Sequence, residues 1–89
     1  GIWRRKRTVV LYNSLWAKFS QNPELGICLK KTYPRRIGEA SPSDTLYGIG
    51  LAPSNDLAQD PKCWKGENLL GKALEQVREK LMAEENIKN

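Results

Sequence analysis

The chemistry of this chain concentrates in the twelve residues Glu39-Ala40-Ser41-Pro42-Ser43-Asp44-Thr45-Leu46-Tyr47-Gly48-Ile49-Gly50. They bring two carboxylates, two serine hydroxyls, an aromatic ring and two glycines together. Carboxylates on a loop beside exposed backbone are what cleavage of a glycosidic bond needs. One stabilises a cationic oxocarbenium ring, and the other protonates a leaving group or activates water. Glycines let the main chain approach a sugar or a phosphate closely. The structural alternative is an ordinary turn in which Asp44 caps neighbouring amides. A second block, Asp60-Pro61-Lys62-Cys63-Trp64-Lys65-Gly66-Glu67-Asn68-Leu69-Leu70-Gly71, sets Trp64 and Asn68 about one turn apart at the mouth of a helix. A helix N-terminus attracts anions, and an indole can stack on a base. Here the alternative is a capped helix with Trp64 plugging the core.

Composition limits what those residues can do. The chain has 89 residues, 39% of them apolar, enough for one small domain. It has no histidine. That removes Ser–His and Cys–His nucleophiles and any His-ligated zinc or haem, leaving carboxylates, Tyr, Lys, Cys or bound water. Two cysteines, Cys28 and Cys63, make neither a disulfide scaffold nor a CxxC metal pair, and fit reduced thiols in a cytoplasmic protein. No apolar run is long enough to span a membrane or serve as a secretory signal. The chain opens on Gly1, with Arg5 where a myristoylation site wants Ser or Thr, so a start inside a longer protein is expected.

The net charge of +5 is unevenly distributed. Residues 1–36 hold nine basic residues against Glu24 alone, while residues 37–89 hold six basic and nine acidic ones. Arg4-Arg5-Lys6-Arg7 is the densest basic run. It reads as a phosphate-contacting patch, a nuclear-import signal or the solvated face of a helix. The aromatic residues nearby sit on the apolar stripe, not between the arginines as stacking platforms would. The run is therefore expected to be a solvated face with weak, non-specific attraction to nucleic acid.

Three helices must position these blocks. Residues 2–20 carry Trp3, Val10, Leu11, Leu15 and Phe19 on an approximate stripe widened by Trp16, with Arg4, Arg5, Lys6, Tyr12 and Asn13 opposite. Asn22-Pro23-Glu24 starts a short helix over 23–31, ended by Thr32-Tyr33-Pro34. Residues 36–40 and 47–51 read as extended, with the turn Ser41-Pro42-Ser43-Asp44 between them and a polar loop at 53–63. The last helix is expected over about 66–85. Leu69, Leu70, Ala73, Leu74, Val77 and Leu81 form its stripe, with Leu74 buried near Leu15. Glu75–Arg78 and Lys80–Glu84 are spaced to pair on its wet side, and residues 86–89 form a frayed tail. The fold class is thus mainly α: three helices with a short extended segment between the second and the last.

Three stretches in order carry a family resemblance. They are Ala17-Lys18-Phe19-Ser20-Gln21-Asn22-Pro23-Glu24-Leu25; Glu39-Ala40-Ser41-Pro42 with Asp44 and Tyr47-Gly48-Ile49-Gly50-Leu51; and Trp64, Gly66, Asn68-Leu69-Leu70-Gly71, Ala73-Leu74 and Val77-Arg78. Together they resemble the NADAR, or YbiA-like, family over residues 3–82. The resemblance implies a mainly helical fold and an N-glycosidase. Such an enzyme hydrolyses the C–N bond between ribose C1 and an amine or base in phosphoribosylated intermediates of riboflavin synthesis or in ADP-ribosylated substrates, with no metal and no cofactor. It assigns Asp44 as catalytic, holding the ribose or stabilising charge at C1. It places Lys18, Glu39, Ser41, Tyr47, Gly48, Gly50, Trp64 and Asn68 in the substrate site. Tyr47 stands where the family usually has Trp. The resemblance further implies that residues 1–89 form a single, partial domain, its C-terminal portion. The catalytic Glu would then lie upstream, and the missing N-terminal half would be a partner. The competing readings are an inactive remnant that binds ADP-ribose, nucleotides or nucleic acid, and a structural fragment that completes its core with another chain.

Overall fold

A computed structural model describes the backbone of residues 2–88 and the side chains of residues 5–86. Trp3 and Arg4, assigned above to the stripe and the basic face, lie outside the described side chains. The chain is mainly helical: α1 spans Ile2–Gln21, α2 Pro23–Lys31 and α3 Leu69–Lys88. Short 3-10 turns at Asp56–Gln59 and Pro61–Cys63 break up the intervening loop. Among the described residues no strand forms, and no helix is long and apolar enough to cross a membrane. Two compact units divide the chain. One comprises residues 1–35 and 73–89, the other residues 36–72.

In the first unit the inward face of α1 is Thr8, Leu11, Tyr12, Leu15, Trp16 and Phe19, all half-buried. That set follows the three-and-four spacing of one helical face more closely than the stripe expected from apolarity alone. Val10, expected on the stripe, is 63% exposed, and Tyr12, expected on the polar face, turns inward. Tyr and Trp carry an apolar body with a polar tip, so they serve an inward face as well as Val does. Arg5, Lys6 and Arg7 are exposed, as a solvated face requires. At the α1–α2 corner Asn22 caps backward. Its Nδ2 donates to the Lys18 carbonyl at 2.5 Å and so satisfies the end of α1, while Pro23 opens α2 without needing a donor.

Ala73 and Val77 are the deepest apolar residues on the part of α3 in this unit, at 2% and 0% exposure. Leu74, expected to be buried, is only half-buried. Residues four apart share a face, and the face that turns fully inward in this unit is the one carrying 73 and 77. The two cations expected in wet-side pairs reach other elements instead. Lys80 stands 4.2 Å from the centroid of the Trp16 ring, a cation–π contact. Arg78 turns inward and bonds to the turn after α2. An ion pair between elements joins Lys30 to Glu85 at 3.0 Å. It is solvent-exposed on the glutamate side and worth at most about 1 kcal/mol.

In the second unit, residues 36–68 have neither helix nor strand to satisfy their backbone beyond the two 3-10 turns. Side chains and cross-loop bonds do it instead. Asn55 Oδ1 accepts from the Leu57 amide, and Asp60 Oδ1 from the Lys62 amide, capping the two 3-10 turns. The segments expected to be extended meet at single points. The Ile49 amide donates to the Glu39 carbonyl at 2.9 Å, and the Ile49 carbonyl accepts from both Lys65 and Gly66. Ile49 and Leu51 are buried at 2% and 3% exposure. The last helix starts at Leu69, three residues later than expected, because Gly66, Glu67 and Asn68 are drawn into this network. Asn68 adopts φ 55°, a left-handed conformation outside any α-helix, which Asn tolerates better than most residues.

Two substitutions test the helical faces. Val77→Ala should lower unfolding free energy by about 1–3 kcal/mol, whereas Val10→Ala should stay within about 0.5 kcal/mol of the parent. Urea denaturation of the two variants separates the faces directly, and equal losses would place Val10 in the core. In the loop, Gly66→Ala should be severe, about 3 kcal/mol or more by the same measurement. The new methyl overlaps the Gly48 carbonyl oxygen and stands 2.9 Å from the Ile49 carbonyl carbon.

Candidate functional site

The Asp44 carboxylate is held by the backbone that follows it. Its Oδ1 accepts from the Leu46 amide at 3.0 Å and from the Tyr47 amide at 2.8 Å. One oxygen thus organises the turn, in the manner of a cap, and fixes the rotamer of the half-buried side chain. The turn-capping alternative is therefore realised at Oδ1.

The carbonyls of the same turn point at α3. The amide of Glu67 donates to the Thr45 carbonyl (2.7 Å), that of Asn68 to Gly48 (3.0 Å), that of Leu69 to Leu46 (3.0 Å) and that of Leu70 to Tyr47 (3.1 Å). The amides of Asn68, Leu69 and Leu70 are three of the four that the start of a helix leaves without an intrahelical acceptor. Protein carbonyls occupy them, so the anion-attracting helix mouth expected from the sequence is already filled by the Asp44 turn.

Asn68 locks this junction from the other side. It is 1% exposed. Its Oδ1 accepts from the Glu39 amide at 3.0 Å, and its Nδ2 donates to the Ile37 carbonyl at 2.8 Å. The side chain expected to meet ribose or phosphate thus spends both polar ends on backbone. Its left-handed φ is the conformation that lets the amide face residues 37–39 while its own N–H meets Gly48.

Gly48 marks where the expected site residues converge. A methyl placed there would stand 2.8 Å from the carbonyl oxygens of both Glu39 and Asp44, and 3.3 Å from the Ser41 Cβ. Glu39, Ser41, Asp44, Gly48 and Asn68 thus form one cluster. Tyr47 is half-buried within the turn itself. Gly50 sits at φ +74°, where L side chains are strained. The close approach at Gly48 is made by protein backbone, where a sugar was the expected visitor.

Trp64 lies against the neighbouring residues of this cluster. Its ring edge lies against Gly38, where a Cβ would stand 2.8 Å from Cη2 and 3.0 Å from the Ile49 Cγ2. Its indole N–H donates to the Ala58 carbonyl at 2.8 Å, which fixes the ring plane. The Arg36 guanidinium stands 5.5 Å from the ring centroid, a cation–π contact that sequence spacing gave no means of finding. The Glu39 carboxylate is exposed, although the residue's backbone is bonded at both N–H and C=O. Lys18 belongs to the other unit, exposed on α1, with its ammonium 5.8 Å from the centroid of the neighbouring Phe19 ring. Among the described residues no group of three or more Cys, Asp or Glu is placed to hold a metal ion.

In chemical terms the second unit offers a carboxylate on a turn with little freedom to move. A half-buried phenol neighbours it in that turn, an exposed carboxylate stands at residue 39, and an indole of fixed orientation lies beside the cluster. Comparison with known proteins gives this chain relatives. The chain is 38% identical over 88 residues to the protein irg-1 of Caenorhabditis elegans, covering 99% of this chain and 42% of that protein. It is 41% identical over 78 residues to an N-glycosidase of Acanthamoeba polyphaga mimivirus, covering 88% of this chain and 46% of that one. The chain therefore spans about half the length of the curated relatives it matches. No solved structure matches it. The NADAR domain model matches residues 1–82, nearly the whole chain, and the protein belongs to the NADAR domain family.

Proposed function

We propose that this chain takes part in hydrolysis of an N-glycosidic bond, between ribose C1 and an amine or base, in phosphoribosylated or ADP-ribosylated substrates. The observation that carries the reading is the Asp44 carboxylate, immobilised by two amides within a family that includes an N-glycosidase. In such a reaction the C1–N bond breaks and its electron pair leaves with the base, which gains a proton. Water adds its oxygen to C1 and releases the second proton. The ribose ring carries positive charge at the transition state. A carboxylate already fixed in place stabilises that charge without reorganising, which is why preorganised groups are worth several kcal/mol. In this reading Asp44 faces C1 and is the catalytic residue. Tyr47 and Trp64 flank the base, and Glu39 and Ser41 bind ribose hydroxyls. Gly48 and Gly50 shape the turn. Asn68 acts as a positioning residue that holds Glu39 against the turn. No metal or cofactor enters the scheme.

A second reading has its own support. Asp44 Oδ1 and both ends of the Asn68 amide serve the backbone, as they would in a module that binds a nucleotide or ADP-ribose without turning it over.

Asp44→Asn separates the two, because it keeps the Oδ1 acceptor and removes only the charge. The substrates are a phosphoribosylated aminopyrimidine and an ADP-ribosylated amine, with released ribose 5-phosphate or ADP-ribose as the readout. The variant should melt within a few degrees of the parent yet turn over about 100-fold more slowly or worse. Asp44→Ala should lose turnover and also about 0.5–2 kcal/mol of stability, since the cap goes with the charge. Equal turnover by parent and Asp44→Asn would leave Asp44 as a turn cap alone. Binding without turnover in the parent would establish the second reading.

A further inference from the structure

Arg78 presents a different kind of anomaly. Its side chain is 5% exposed, yet the partners that hold it are neutral. Nη1 donates to the Thr32 hydroxyl at 2.9 Å and to the Arg35 carbonyl at 2.8 Å, and the guanidinium carbon stands 5.5 Å from the Tyr33 ring centroid. The Thr32 hydroxyl in turn donates to the Leu29 carbonyl at 2.6 Å, so its lone pairs are directed to Arg78. The guanidinium is thereby held at Nη1 and against the Tyr33 ring. The Nε–H, however, is buried with no acceptor.

Burying a guanidinium among neutral groups is expensive, and an unfilled buried donor adds to the cost. Proteins usually match such a group with a carboxylate or phosphate, often side-on through the Nε edge, because the planar fork fits two oxygens. The surroundings favour an incoming anion. Within this unit, the stretch that follows Glu24 up to residue 35 carries Lys30, Lys31 and Arg35 and no acid. Of these, Lys30 is engaged by Glu85 and Arg35 Nε donates to the Thr32 carbonyl, which leaves Lys31 exposed on the end of α2. Tyr33, the ring against the guanidinium, is itself 56% exposed. Exposed side chains change rotamer in nanoseconds or less, so the cover over Arg78 is a movable one.

We infer that Arg78, held by the Thr32–Arg35 turn, is an oxyanion site that takes a phosphate group through its Nε edge, with Tyr33 swinging aside to admit it. The site lies wholly within the unit of residues 1–35 and 73–89, and it stands whether or not the Asp44 cluster hydrolyses anything.

The test uses the intact chain and reads the arginine Nε–Hε cross-peaks by NMR during titration with inorganic phosphate at constant ionic strength. Arg78→Lys, which keeps the charge and removes Nε, assigns the peak. The expected result is a saturable shift of the Arg78 peak well beyond that of exposed Arg5, Arg7 and Arg35, with affinity at least about tenfold weaker in the folded Arg78→Lys variant. A parallel titration with ribose 5-phosphate decides the source. Tighter binding of the ester assigns the site to a sugar phosphate, and tighter binding of the inorganic ion assigns it to free phosphate. If the Arg78 peak moves only in step with the exposed arginines, or a folded Arg78→Lys variant binds as the parent does, the site does not exist. Should Arg78→Lys fail to fold, the parent's own peak, assigned by through-bond correlation, still decides between these outcomes.

Discussion

Everything in residues 36–72 depends on one junction, where the carbonyls of Thr45, Leu46, Tyr47 and Gly48 meet the amides of residues 67–70. A buried backbone donor left without an acceptor costs about as much as a lost hydrogen bond. The start of a helix presents several such donors together. Here the turn that follows Asp44 supplies the acceptors, and Asp44 Oδ1 supplies the acceptor for two of that turn's own amides. The arrangement is a relay. Side-chain oxygen organises the turn, the turn caps the helix, and the helix anchors Asn68, whose amide returns to residues 37 and 39. Removing any member leaves several polar groups unpaired at once, so the loop is stiffer than its lack of strand or long helix would suggest.

The parts legible in the sequence are those governed by a local period. Asn22-Pro23 starts α2, and Thr32-Tyr33-Pro34 ends it at Lys31. The stripe on α3 is placed correctly except for which of its residues lies deepest. The rest depends on partners far along the chain. Nothing in the neighbourhood of Asn68 says that its φ is positive or that its amide reaches back about thirty residues. Arg78 is spaced to pair with Glu75, and only the folded chain shows it turned toward Thr32 and Arg35 instead. On α1 the difference has a specific cause. Hydropathy favours Val10 over Tyr12, but position along the helix, not hydropathy, selects the inward face.

The family motif acquires a physical meaning from this geometry. Gly66 is required because backbone passes against backbone at Gly48 and Ile49. Gly71 is required because a Cβ there would overlap the Ile37 carbonyl and crowd the Asn68 amide. Asn68 is required because few other residues combine a left-handed backbone with a donor and an acceptor on one short side chain. The Trp64-x-Gly66-x-Asn68 pattern is therefore a prescription for closing the loop on the helix, a structural demand that any chemistry at Asp44 inherits.

That inheritance bears on how a carboxylate in a turn can serve two ends. A cap uses one acceptor oxygen in the plane of the turn, and Asp44 meets that demand with Oδ1 alone. An ionised carboxylate has acceptor capacity at both oxygens, and its charge is shared between them. Capping therefore fixes the direction of the group without exhausting it. The rigidity that makes Asp44 look structural is the same property that electrostatic stabilisation of a cationic sugar ring requires, since a charge that need not reorient loses nothing at the transition state. Under the proposed function, structural and catalytic roles would be coupled at this residue through a single rotamer, and it is the Asp-to-Asn difference, charge at constant shape, that distinguishes them.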